Sequence, residues 1–259
     1  MAALYEPGND DVFVPTAYTR GPWDRRHQHA GPPSALLAHA IEAAAHIAGG
    51  QLARIALDIL RPVPLEPLRV TTRHVRPGRR VEHLEAILTL AADGTELMRA
   101  RAWRLRSEAL ALADPEPPPA GPRGLEPAGR PSFWTDETAY IDALEWRFVH
   151  GGFDVPGPAA CWTRMNVNLL PGRPASPLEH LLVMGDAASG ISAVLDWSTW
   201  TFANVDFSVA LERPPDGEWL GMDGVTRPGD RGAGVCSGVF FDAAGRVGSS
   251  SQILLLAPR

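Results

Sequence analysis

One carboxylate stands apart from its surroundings in this 259-residue sequence. Asp186 follows Gly185 inside the run LLVMGDAASGISAVL, and an acid in an apolar helix is costly unless it is paired, hydrogen-bonded or used in chemistry. If desolvation raises its pKa toward the working pH, such a carboxylate can act as a general base. A strand-like run, TWTFANVDFSVAL, comes next and carries Asn204 and Asp206 two apart, which on a regular strand puts them on one face. Trp197 and Trp200 stand three apart between helix and strand, as residues that can line an apolar pocket. Far upstream, His27 and His29 form an H-x-H pair, with Asp24 five residues before His29.

Other chemistries find little support. GVCSG at residues 234–238 has its serine in the wrong place for a nucleophile elbow, and no helix follows it. Neither HExxH nor CxxC occurs, so no metal is expected. All 24 of the residues counted as Lys+Arg are arginine, which excludes a Walker A lysine and a Schiff-base mechanism. Cys161 and Cys236 each sit in a strand-like run and read as reduced, buried thiols. The net charge of −6 and the absence of a basic cluster interleaved with aromatics argue against nucleic-acid binding. No apolar run is long enough for a membrane span, and no signal peptide is apparent at the N-terminus.

The elements that must position these residues come in two sets. Ser176-Pro177-Leu178-Glu179 is a capping box with proline at the first helical position, so Asp186 is expected about three turns into a helix. An Ala-rich first helix is expected after Pro32 and Pro33, with Gly49 and Gly50 stopping it. Strands follow each helix, with turns at Pro77-Gly78, Asp93-Gly94 and Asp242–Gly245. Arg61-Pro62 recurs as Arg213-Pro214, an offset of 152 residues, with helix, strand and meander in the same order around each. A duplicated unit of one long helix and an antiparallel sheet predicts an α+β double hotdog. Its expected parts are an N-terminal hotdog over residues 1–108, a Pro-rich linker over 109–132 and a C-terminal hotdog over 133–259. Seven prolines in residues 114–131 mark that linker. The arginines at 79, 80, 99, 101 and 104 read as a solvated face.

With these motifs in order, the chain resembles acyl-CoA thioesterase II and the double-hotdog thioesterases. The resemblance rests on HAGPPSALLAHAIEAA and ILRPVPLEPLRV in the first half, and on GDAASG, FANVDFSVALERP and SSSQIL in the second. It implies that Asp186, Asn204 and Gln252 hold and activate the attacking water, with Asn204 standing where the family usually has threonine. It also implies an acyl-CoA substrate met by His29, Gly31, Trp197 and Trp200, and no bound cofactor. Residues 29–33 are an expected source of oxyanion donors, which would place the site between the two hotdogs. A cytoplasmic homodimer working in fatty acid metabolism is the accompanying expectation. Asp24 and His29 also resemble the acid–histidine motif of hotdog (R)-specific enoyl-CoA hydratases, although the Asn-Pro core of that motif is missing. A hydratase using this pair is therefore one alternative, and a non-catalytic acyl-CoA-binding protein is another.

Overall fold

The computed structural model describes residues 2–9, 11–108, 110 and 116–259. The first half runs through strands β1 (Tyr5–Pro7) and β2 (Val12–Pro15), helix α1 (Gly31–Ala44), and strands β3 (Gly50–Ile59), β4 (Leu68–Arg76), β5 (Val81–Leu90) and β6 (Glu96–Arg106). The second half runs through β7 (Leu144–Gly152) and β8 (Val155–Met165), helices α2 (Pro177–Gly185) and α3 (Ala188–Ile191), and then β9 (Trp200–Asn204), β10 (Asp206–Leu211), β11 (Leu220–Pro228), β12 (Ala233–Asp242) and β13 (Gly245–Pro258). Strand order is β1-β2-β4-β5-β6-β3 in one half and, in mirror sequence, β10-β13-β12-β11-β8-β7 in the other. The two halves share one topology, so the fold is the expected double hotdog. No helix among the described residues is long and apolar enough to cross a membrane.

The halves join edge to edge through antiparallel pairing of β3 with β10. Ala56 faces Ser208 there, the residue 152 positions further on, and the pairs on either side exchange under the same offset. The duplication read from the sequence is thus also the symmetry of the seam. Beneath the continuous sheet the helices lie antiparallel. Gly31 at the start of α1 is close enough to α2 that a methyl group there would collide with Val183 O, while His39 further along α1 meets Glu179 near the start of α2. Glycine is needed at position 31 for that approach.

Two expectations change inside the first half. On β6, Arg104 is in phase with Met98, Ala100 and Ala102 and shares their buried face. It is not solvated: Nη1 donates to Glu82 Oε1 at 2.6 Å and Nε to Glu42 Oε1 at 2.7 Å. The buried Glu82 carboxylate also accepts the N–H groups of His46 (3.1 Å) and Ile47 (3.2 Å). Those bonds divert the chain, so α1 ends at Ala44, short of Gly49-Gly50. Of the expected linker, residues 109 and 111–115 lie outside the described residues. Its later part is tied to the second half, where Trp162 Nε1 donates to Ala120 O and Ala128 N–H donates to Trp146 O, both at 2.7 Å. Cys161 and Cys236 are free and buried, and burial pushes both thiols up.

Candidate active site

The capping box forms as read. Ser176 Oγ accepts the Glu179 N–H, and Glu179 Oε2 accepts the Ser176 N–H at 2.8 Å. The helix does not carry through Asp186, however. α2 ends at Gly185, which packs against the Phe207 and Phe240 rings, and the chain resumes as α3 after Asp186 and Ala187. Asp186 is therefore the C-terminal cap of α2, at a helix break. A break leaves backbone groups without helical partners, and side chains must supply them. Gln252 Nε2 donates to Asp186 O at 2.9 Å, and its Oε1 accepts the Ser189 N–H at 3.2 Å. Gln252, fully buried on β13, thus splints α2 to α3.

Asn204 approaches from the other side. Its Nδ2 donates to Asp186 Oδ1 at 2.7 Å and to Asp186 O at 3.1 Å, and its Oδ1 accepts the Ser189 hydroxyl at 3.0 Å. What aims it inward is an irregularity. Leu254 pairs with Asn204 while Ser251 pairs with Ser208, so the register on β13 slips by one residue between β9 and β10. Such a bulge re-aims side chains. Asn204 and Asp206 consequently do not share a face, and Asp206 Oδ1 accepts the Ile253 N–H at the bulge.

The carboxylate's other oxygen meets the first half of the chain, with His29 Nδ1 lying 3.0 Å from Asp186 Oδ2. The same nitrogen is 3.2 Å from Gly31 N. A ring nitrogen that donates its proton to a carboxylate cannot also accept one, and we assign the proton to the shorter, charge-assisted contact. This leaves Nε2 as the unprotonated nitrogen and releases the Gly31 N–H. The ring lies flat on Tyr140, with centroids 3.7 Å apart, and Tyr140 OH donates to Val183 O at 2.7 Å. The backbone around His29 is pinned as well. His29 N–H donates to Thr19 O at 2.8 Å and Gln28 N–H to Val63 O at 2.7 Å, and the Gln28 side chain bridges Tyr5 OH to Pro64 O. Burial pushes the Tyr5 and Tyr140 phenols up, which keeps both as donors.

Asp186, His29, Ser189 and Asn204 open onto a cavity of about 450 Å³ between the halves. Trp23, Ile59, Leu60, Val63, Trp197, Phe202 and Leu255 make most of its wall apolar. Of the sequence-derived residues, Asp186, Asn204, His29 and Trp197 line it, while Gln252, Gly31 and Trp200 do not. Trp200 is half-buried at the start of β9, paired with Pro258. Asp24 lines the cavity but does not partner His29. It is gripped by Arg26, whose Nη2 lies 2.7 Å from Oδ2, and hydrogen bonds from the Arg26 side chain and N–H hold its carboxyl well below the usual range. Held ionised, it is poorly suited to donate a proton, and the acid–histidine pair is Asp186–His29 instead. Tyr140, Gln28 and Ser189 were not anticipated. Tyr140 and Ser189 contact partners in other elements, so no local spacing points to them.

Family models match both halves of the chain. Residues 19–105 match the acyl-CoA thioesterase N-terminal domain, and residues 114–256 match the acyl-CoA thioesterase C-terminal domain. No curated protein matches the chain in sequence. Among solved structures, a candidate thioesterase II from Thermobifida fusca superposes with a TM-score of 0.75 at 15% identity, covering 99% of this chain and 96% of that one. A hotdog-fold protein of unknown function from Alicyclobacillus acidocaldarius gives 0.73 at 16% identity, covering 97% and 95%. An acyl-CoA thioesterase II from Mycobacterium marinum gives 0.66 at 15% identity, covering 96% and 92%. At these identities the structural likeness speaks for the fold alone.

Proposed function

This chain belongs to the acyl-CoA thioesterase family, and from that premise we propose that it hydrolyses fatty acyl-CoA with a water activated at the Asp186–His29 pair. The observation that carries the reading is a buried carboxylate from one half set against a histidine from the other, at the wall of an apolar cavity. In this reading His29 Nε2 takes a proton from the water, and Asp186 holds the ring in that tautomer and balances the charge that forms. The hydroxide attacks the thioester carbonyl. Ala30 lines the cavity just before α1, and because Gly31 does not line it and Pro32 and Pro33 have no N–H, the Ala30 amide is the available oxyanion donor there. When the C–S bond breaks, the proton returns from Nε2 to the thiolate of CoA. Asn204 fixes the carboxylate, and Gln252 is a positioning residue acting through the helix break. Arg61, exposed and lining the cavity, supplies positive charge for the CoA phosphates.

The reading extends to a role in fatty acid metabolism in the cytoplasm, with residues 1–108 and 133–259 as the two hotdog domains. A homodimer is the assembly this reading carries, beside the pairing of β3 with β10 inside each chain. Thiol release from acyl-CoA tests the central claim. The wild-type chain is expected to release CoA, and Asp186→Ala to lose at least about a hundredfold in kcat with its thermal transition retained. Tight acyl-CoA binding without thiol release, or an active Asp186→Ala chain, overturns it.

A further inference from the structure

A second hollow of about 690 Å³ adjoins the cavity, with Phe133, Phe153, Pro156, Ala193, Val194 and Leu195 among its lining residues. One side chain, Trp197, lines both hollows. Its indole is stacked between two other rings: Trp23, which lines the inner cavity, at 4.9 Å, and Phe133, which lines the outer groove, at 4.0 Å. Phe202 closes the edge at 4.5 Å. The backbone that carries Trp197 is a tight turn. Asp196 Oδ1 accepts the Ser198 N–H at 2.7 Å, and Asp196 O accepts the Trp200 N–H at 3.0 Å. Stacked ring faces are held by dispersion and by apolar burial on both sides, so this wall is well seated without being covalently fixed.

We propose that Trp197 is a partition that sets acyl-chain length, an inference that rests on the acyl-CoA hydrolase reading above. Chains short enough to end against the Trp23–Trp197 stack are held entirely in the inner cavity. Longer chains reach the groove beyond it, which sets an apolar side including Phe133, Phe153 and Leu195 against Asp154 and Arg259, only when the Trp197 ring is absent or displaced. The outer groove is then a latent extension of the acyl site, closed in the native chain by one side chain.

The test compares kcat/KM for butyryl-, octanoyl- and palmitoyl-CoA in the wild-type chain, Trp197→Ala and Trp197→Phe. Opening a pocket by a large apolar group is expected to raise the palmitoyl-to-butyryl ratio by about tenfold or more in Trp197→Ala, with Trp197→Phe staying near wild type because it keeps a ring in place. Trp197→Leu carries the same expectation should the alanine chain fail to fold. In Trp197→Ala,Val194→Trp, which refills the groove, the ratio is expected to fall back. An unchanged ratio in the opened chains overturns the partition, and a raised ratio that survives the groove filling overturns the path through the groove. If the wild-type chain releases thiol from none of the three substrates, the hydrolase reading fails and this inference fails with it.

Discussion

Asn204 donates one amide hydrogen to the Asp186 carboxylate and the other to the Asp186 carbonyl, and it accepts from Ser189. A threonine hydroxyl has a single hydrogen and could not make both donations. At this helix break the Asp186 carboxylate takes a donor from Asn204, while the Asp186 carbonyl takes one from Asn204 and one from Gln252. His29 answers from the other half with a ring whose plane is set by Tyr140 and whose tautomer is set by Asp186. That arrangement makes a prediction at the scale of one side chain. His29→Ala is expected to lower kcat by about a hundredfold or more, and added imidazole to restore part of the loss. A loss below about fivefold, or one that imidazole does not touch, would remove His29 from the proton path.

Elements hold these side chains through a few buried polar ties rather than through packing alone. Glu179 is the clearest. It closes the α2 capping box and also meets His39 of α1 and Arg173, so one carboxylate joins the helix cap to the helix pair. Burial by itself would raise its pKa, but the hydrogen bonds from His39, Arg173 and Ser176 N–H outweigh burial and hold it at about 2. Because that lies below the ordinary value of 4.5, the stabilisation is complete above pH 4.5 and is lost as the pH falls toward about 2. It amounts to roughly 3 kcal/mol by the size of the shift. Urea unfolding across that window is expected to show a steep loss of stability in the wild-type chain and a flatter one in Glu179→Gln. Equal slopes would mean that other carboxylates carry the acid sensitivity.

At the scale of the whole molecule, duplication has produced one site from two halves. His29 is supplied by the first hotdog, Asp186 and Asn204 by the second, and the β3–β10 seam keeps them in register. At the opposite end of the antiparallel helix pair, the corresponding meeting of halves is taken up by the His39–Glu179 tie. Residues 1–108 and 109–259 expressed separately are thus each expected to be inactive, and co-expressed halves to regain measurable thiol release. Cleavage by the second half alone would show that Asp186 works without His29.

Much of this was legible in the chain itself. Local chemistry writes capping boxes, Asp-Gly turns and apolar periodicity directly into neighbouring residues, so Ser176–Glu179, the strands around Asp93-Gly94 and the 152-residue repeat could all be read without coordinates. An acid among apolar residues likewise marked Asp186 by its cost alone. What the spacing could not carry was anything decided across long separations. The bulge that turns Asn204 away from Asp206's face arises from a one-residue slip against β13, and the helix break at Asp186 persists because Gln252, 66 residues later, takes up its carbonyl. Choosing Asp186 over Asp24 as the partner of His29 was likewise a matter of tertiary structure. Arg26, two residues away, captures the near carboxylate, while the helix pairing at Gly31 delivers the distant one. Contacts between residues far apart in sequence depend on how whole faces pack, and only the folded chain evaluates all of those faces together.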